Sequence, residues 1–216
     1  MSLLFSPKIS AERRAFTHAI IIPCILSLIM ILVFALENGM GWDFHKAGVL
    51  PRHWENFGGV FTYIFIHSDW GHLGNNIFSF IVLSSCLYFF YKTIASKILF
   101  VSYILSGMIL WLIGRENWHI GASGLVYSLA FFLFFSGIIR KYVPLIAISF
   151  FVVFMYGSMV WYVFPWKAQE QISWEGHLAG AITGLLLAVL SRNYGPQKPE
   201  INWEEEEEEE NEGIQN

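Results

Sequence analysis

Six long apolar runs separated by short polar stretches constrain this chain more than any other feature of its sequence. Each is roughly 15–21 residues long, and a helix of roughly 20 residues crosses a hydrocarbon core of about 30 Å. The bilayer core offers no water to satisfy backbone N–H and C=O groups, so such runs must be helical. The expected spans are Ala19–Leu36, Leu73–Phe90, Ile98–Ile113, Ser123–Ile139, Val143–Val163 and His177–Leu190. Composition agrees: 55% of residues are hydrophobic and 14% charged, where a soluble domain carries about 25% charge. The fold class is therefore an all-α integral membrane protein with six transmembrane helices. Residues 1–18 form a cytoplasmic N-terminal segment, 19–190 the membrane domain and 191–216 a cytoplasmic tail. No small-residue cleavage site follows the first run, and Glu37 to Trp42 reads as a loop, so the first run is a span and not a cleavable signal.

Orientation follows from the basic residues. With the N-terminus inside, the inner face carries Lys8, Arg13, Arg14, Lys92, Lys97, Arg140, Lys141, Arg192 and Lys198, and the outer face Lys46, Arg52, Arg115 and Lys167. The excess of cationic residues belongs on the cytoplasmic side, which puts both termini there. Cys24 and Cys86 fall within apolar spans on the reducing side, where a cysteine packs as a small hydrophobe and a disulfide is not expected. Glu204 to Glu210 is an unbroken acidic run that follows Gly195-Pro196-Gln197-Lys198-Pro199. Like charges at that density repel and bury no apolar surface, so the tail is read as disordered, with docking as the alternative. It also supplies much of the formal net charge of −4.

Within the spans, polar residues are the informative ones, because each is costly unless it faces protein or water. The second span opens with Gly71-His72-Leu73-Gly74-Asn75-Asn76, the fourth with Gly121-Ala122-Ser123-Gly124, and the sixth with Gly176-His177-Leu178-Ala179-Gly180. The even-numbered helices all run from outside to inside, so His72, Ser123 and His177 are delivered to one layer near the outer face. First-turn N–H groups lack intrahelical partners and carry the positive end of the helix dipole, which suits a site where negative charge develops. His72 and Asn76 are spaced i, i+4 and share a helix face, from which both can donate hydrogen bonds. Gly180 and Gly184 form a small-xxx-small surface, the kind that lets helices approach closely; approach of the fourth and sixth helices would bring His177 within reach of Ser123, as a nucleophile–base pair requires.

Other polar residues take simpler readings. Glu175 lies two positions before His177, about 200° round a helix, and is read as a headgroup-level charge. That leaves a Ser–His dyad with no third member. Asp69 is read as interfacial; His18, His45, His53 and His119 as solvated; and His67 as holding the loop before the second helix.

These openings resemble the rhomboid family of intramembrane serine proteases. The resemblance rests on His72-x-x-x-Asn76, on Gly121-Ala122-Ser123-Gly124 followed by Tyr127, and on His177-x-x-Gly180-x-x-x-Gly184, in that order over roughly residues 57 to 190. It implies Ser123 as nucleophile and His177 as general base, with His72, Asn76 and the Ser123 amide stabilising the oxyanion. It implies structural support from His67, Gly121, Gly124, Tyr127 and Gly180, with Gly184 on the same close helix contact. Many members carry a Trp-Arg pair in the first external loop; here that stretch is Phe57-Gly58-Gly59-Val60, and Trp54 and Phe57 are the candidates to anchor the loop instead. The six-span plan matches the basic form found in bacteria, in the inner membrane.

The expected activity is hydrolysis of peptide bonds in or near transmembrane segments of other membrane proteins, with no cofactor and no metal. The expected partners are those substrates and the lipid bilayer, not nucleic acid; no pattern in the sequence specifies an oligomeric state. The alternatives are an inactive relative that binds membrane clients, and a transporter or metal-handling protein. An inactive relative has no need of both Ser123 and His177. Asn76 and Ser123 are poor ligands for transition metals, and no acidic residue falls within an expected span as an ion relay.

Overall fold

The computed structural model describes residues 7–165 and 172–199, with side chains from residue 13 onward. The Glu204–Glu210 run and Lys167 lie outside the described residues. The elements are helical: α1 (Pro7–Met40), α2 (Trp70–Phe90), α3 (Ala95–Ile113), α4 (Ser123–Arg140), α5 (Val143–Tyr156) and α6 (Trp174–Leu190). Five segments are long and apolar enough to cross a membrane, and α6 is a shorter apolar helix of 17 residues. The protein is an integral membrane protein with a helical bundle fold.

Several boundaries differ from expectation, and α1, α2 and α3 begin before their apolar runs, at Pro7, Trp70 and Ala95. Glu37 to Met40, expected in a loop, form the last turn of α1. The fifth span continues beyond α5 as a 3₁₀ segment, Gly157–Val163. The sixth helix begins three residues earlier than its apolar run, because Ser173 caps it by accepting from the Gly176 N–H at 3.1 Å. Glu37 and Glu175 thus lie inside helices that the apolar runs alone left free of acids.

Side-chain polarity sorts the helices between lipid and protein. In α4, which carries Ser123, Gly124, Ser128, Ser136 and Gly137, 67% of the apolar window is buried; in the more uniformly aliphatic and aromatic fifth span the figure is 17%. Lipid tails are as apolar as leucine, so burial goes to the helix whose small and hydroxylated residues allow close packing. Phe150 and Phe154 of α5 and Ile25, Leu28 and Leu32 of α1 face outward. Cys24, expected to pack inside, is also exposed there, while Cys86 is half-buried.

The most extensive helix contact is between α4 and α6. A Cβ built on Gly180 would run into the backbone carbonyl of Gly124, and one on Gly184 into that of Ser128. Nothing flexible can yield at either point. Gly180→Ala is therefore expected to force the helices apart and to destabilise the protein by about 1–3 kcal/mol, read as a lower melting temperature in detergent micelles; a wild-type melting curve would contradict this packing.

At the opposite end of these helices, Arg140, counted among the inner-face basic residues, is buried. Its guanidinium donates to the carbonyls of Ser191 (2.7 Å), Pro196 (2.9 Å) and Arg192 (3.1 Å), and its Nε to Ser136 Oγ (2.9 Å). Ser191 and Arg192 directly follow α6, whose C-terminal end is the negative end of its dipole, and with the Pro196 carbonyl they make a buried cation tolerable there.

The connection between α1 and α2 is packed and not draped over the surface, with Val49, Val60, Tyr63 and Ile64 fully buried. Lacking the Trp-Arg pair, it docks on α3 through Trp54 and Phe57, whose rings lie 4.6 and 5.4 Å from that of Trp111. Arg52 adds a bond to the Gly114 carbonyl at 2.6 Å, and the Tyr63 hydroxyl pairs with Ser106 Oγ at 2.9 Å.

Candidate active site

Ser123 is the first residue of α4 and His177 the fourth of α6, so the close crossing at Gly180 brings them face to face. His177 Nε2 lies 3.1 Å from Ser123 Oγ. The other ring nitrogen, Nδ1, lies 3.0 Å from the backbone carbonyl of Tyr162. A carbonyl can only accept, so Nδ1 carries the proton and Nε2 presents its lone pair to the serine hydroxyl. That is the tautomer a general base needs. Tyr127, one turn below Ser123, stacks on the imidazole at 4.2 Å with 9° between the planes, and its hydroxyl donates to the Met159 carbonyl at 2.9 Å. Both rings are thus tied to the 3₁₀ segment after α5.

Ser123, His177, His72, Asn76 and Tyr127 line one cavity of about 1110 Å³. Gly121 has φ +98°, a left-handed conformation, and its backbone N–H donates to the Tyr63 carbonyl at 2.9 Å. A Cβ there would come within 2.5 Å of His72 Nε2 and 3.4 Å of Asn76 Nδ2. The side chains of both α2 residues therefore converge on the backbone just before the serine. Asn76 is buried and its Nδ2 has no hydrogen-bond partner among the described residues. The Ser123 N–H, at the first position of α4, has no intrahelical acceptor. Two unsatisfied donors at one spot are what an oxyanion would fill.

His67 is buried and packs edge-on against His72, with ring centroids 5.0 Å apart; burial pushes it down to about 4, so it is neutral. Asp69 is the N-cap of α2 and not simply interfacial: its Oδ1 accepts from the His72 N–H at 2.8 Å. The Ser68 hydroxyl bond, with that cap, holds its carboxyl below the usual carboxylate range.

Two expectations are corrected. His119 is buried, not solvated: its Nε2 donates to the Arg115 carbonyl at 3.0 Å, and its Nδ1 lies 2.6 Å from Ser173 Oγ, whose hydroxyl donates to it. Burial lowers its proton affinity, first among several influences. Ser173 also caps α6, so His119 braces the helix that bears His177. Glu175 does not face outward as a free headgroup-level charge either; it is 2% exposed, with Oε1 3.7 Å from Arg115 Nε. The α3–α4 connection folds over it, and the His177 Nδ1 that a third catalytic member would take is held by Tyr162. Glu175→Gln is accordingly expected to change any cleavage rate by less than about tenfold while lowering the melting temperature, because the buried carboxylate that pairs with the part-exposed Arg115 is lost; a loss like that of a catalytic group would restore a triad.

Sequence reasoning missed the Tyr162 carbonyl, the Ser173–His119 brace and the Arg115–Glu175 pair. The first is a backbone group and leaves no side-chain signal. The second had one, since a serine three residues before a helical glycine is a cap pattern.

Comparison with known proteins adds the family. The sequence profile of the Rhomboid domain matches residues 53–194. Uncharacterized proteins of Mycobacterium tuberculosis and Mycobacterium bovis are each 33% identical over 175 residues, covering 75% of this chain and 70% of theirs. One of Mycobacterium leprae is 34% identical over 138 residues, covering 58% of this chain and 52% of its own.

Proposed function

Because this chain belongs to the rhomboid family, we propose that it is an intramembrane serine endopeptidase with Ser123 as nucleophile and His177 as general base. The observation that carries this reading is the 3.1 Å approach of His177 Nε2 to Ser123 Oγ, with Nδ1 held by a carbonyl. His177 takes the Ser123 proton as Oγ attacks the scissile carbonyl, and the oxyanion settles between Asn76, His72 and the Ser123 N–H. The imidazolium then gives its proton to the leaving amine. Water entering the cavity hydrolyses the acyl-enzyme by the same steps in reverse roles. Gly121, Gly124 and Tyr127 shape the serine turn and the histidine's seat, His67 packs behind His72, and Gly180 and Gly184 hold the two catalytic helices together.

Substrates are transmembrane segments of other membrane proteins. Their backbone is hydrogen-bonded while helical, so helix-breaking residues near the cut favour cleavage. Mycobacterial relatives and the cytoplasmic bias of basic residues support a multi-pass protein of a bacterial inner membrane, with both termini cytoplasmic. The test is cleavage of a fluorescent transmembrane substrate by purified protein in proteoliposomes, with and without a chelator. Cleavage indifferent to chelator supports the reading. Cleavage that a chelator abolishes, or metal uptake in its place, overturns it.

A further inference from the structure

His72 is placed to donate to an oxyanion through Nε2, yet its surroundings put its proton on the other nitrogen. Ser68 Oγ lies 2.7 Å from Asp69 Oδ2 and 3.1 Å from His72 Nδ1. A carboxylate oxygen only accepts, so the Ser68 proton points to Asp69. Its hydroxyl oxygen then has only lone pairs for His72, and Nδ1 must be the donor. A neutral His72 in that arrangement presents a bare nitrogen toward the space above Gly121, where it would repel an oxyanion. It becomes a donor only when Nε2 also takes a proton.

We propose that Asp69, acting through Ser68, is a positioning residue that locks His72 as the Nδ1–H form and so makes it an oxyanion donor solely as an imidazolium. This rests on the Ser123–His177 reading for its role in turnover, although the lock itself does not. The extra proton is taken up from solvent hydronium before turnover and stays on Nε2 through it; the imidazolium donates a hydrogen bond to the oxyanion, transfers no proton, and no other bond forms or breaks at His72.

One charge on the cavity wall, that of Asp69, favours this assignment. Facing His72 are His177 from α6, His119 and Arg115 from the α3–α4 connection, His45 from the first loop, and His67 from the approach to α2. Arg115 is paired with Glu175. Among the described residues lining the cavity, Asp69 is the only carboxylate, so it is the counter-charge available to an imidazolium at position 72. A charged donor also makes the stronger hydrogen bond to an anion, roughly twice that of a neutral one. His177 must be neutral to act and His72 charged, which predicts a rate that falls on both sides of an optimum.

Asp69→Asn isolates the idea. The Asn side-chain oxygen can still cap α2, while its amide now donates to Ser68, whose proton turns to His72 Nδ1. The neutral ring then carries its proton on Nε2. Nitrogen-15 NMR of histidine-labelled protein in micelles, with the position 72 signals identified by His72→Gln, reads this without turnover. The expected result above the titration is Nδ1–H in wild type, Nε2–H in Asp69→Asn and a mixture in Ser68→Ala. A neutral Nε2–H in wild type, or no change in Asp69→Asn, overturns the proposal. In proteoliposomes, the alkaline fall in kcat should vanish in Asp69→Asn while its maximum drops about tenfold with little change in KM. Ser123-dependent cleavage whose pH profile ignores Asp69→Asn also overturns it. Cleavage that persists in Ser123→Ala would instead defeat the underlying reading and leave the NMR result to decide the lock.

Discussion

Ser123→Ala is expected to lower the cleavage rate by at least about 10⁴-fold, and His177→Ala by a comparable factor. The two groups form one hydrogen-bonded unit at 3.1 Å, and each is useless without the other: the hydroxyl is a weak nucleophile until its proton has somewhere to go. The double variant should therefore be no slower than either single one. Rates measured in proteoliposomes check this directly. Multiplying losses would mean that the residues act independently, and the pair would then be incidental to the chemistry.

Asn76→Ala is expected to lower kcat by about 10²–10³-fold, with KM little changed, because the oxyanion it is proposed to stabilise exists only along the reaction path. Stability should respond differently. The Asn76 amide donor is buried with no partner among the described residues, and an unsatisfied buried donor costs on the order of 1–3 kcal/mol. Its removal offsets the small void left behind, so Asn76→Ala should melt no lower than wild type while being much slower. A variant that lost both stability and activity would mark Asn76 as a structural residue.

Much of this architecture is legible in the sequence because the bilayer leaves so few choices. An apolar run must be a helix, and a polar residue inside one must face protein or water. His72, Ser123 and His177 stood out for that reason, and Gly180 and Gly184 pointed to the crossing that brings two of them together. Their depth followed from counting spans. What was not legible depends on groups that are remote in sequence or carry no side chain. The Tyr162 carbonyl that orients His177 comes from a 3₁₀ segment whose sequence reads as the tail of a lipid-facing helix. Glu175 reads as interfacial because its partner Arg115 lies in another connection, and only the folding of that loop over α6 buries the carboxylate. His119 was misread in the same way: residues in a loop are usually solvated, but this loop is bridged to Val49 by paired backbone bonds of 2.9 Å and closes over Ser173. Asp69 had the signature of a helix cap, yet its link through Ser68 to His72 depends on three side-chain orientations that no spacing encodes.

The first-loop departure from the family is accounted for by geometry of the same kind. Trp54 and Phe57 both reach Trp111 on α3, so aromatic packing holds the loop where other members use a Trp-Arg pair. This keeps the approach to α2 in place, and with it His67 behind His72.

The central claim is that Ser123 is an activated nucleophile in a water-accessible membrane cavity. It is tested most directly by treating the purified protein in proteoliposomes with a fluorophosphonate and locating the adduct by mass spectrometry. The account predicts a single adduct on Ser123, formed at a rate that collapses in His177→Ala. An adduct on another residue, or cleavage of substrate by a preparation in which Ser123 is never modified, would contradict it.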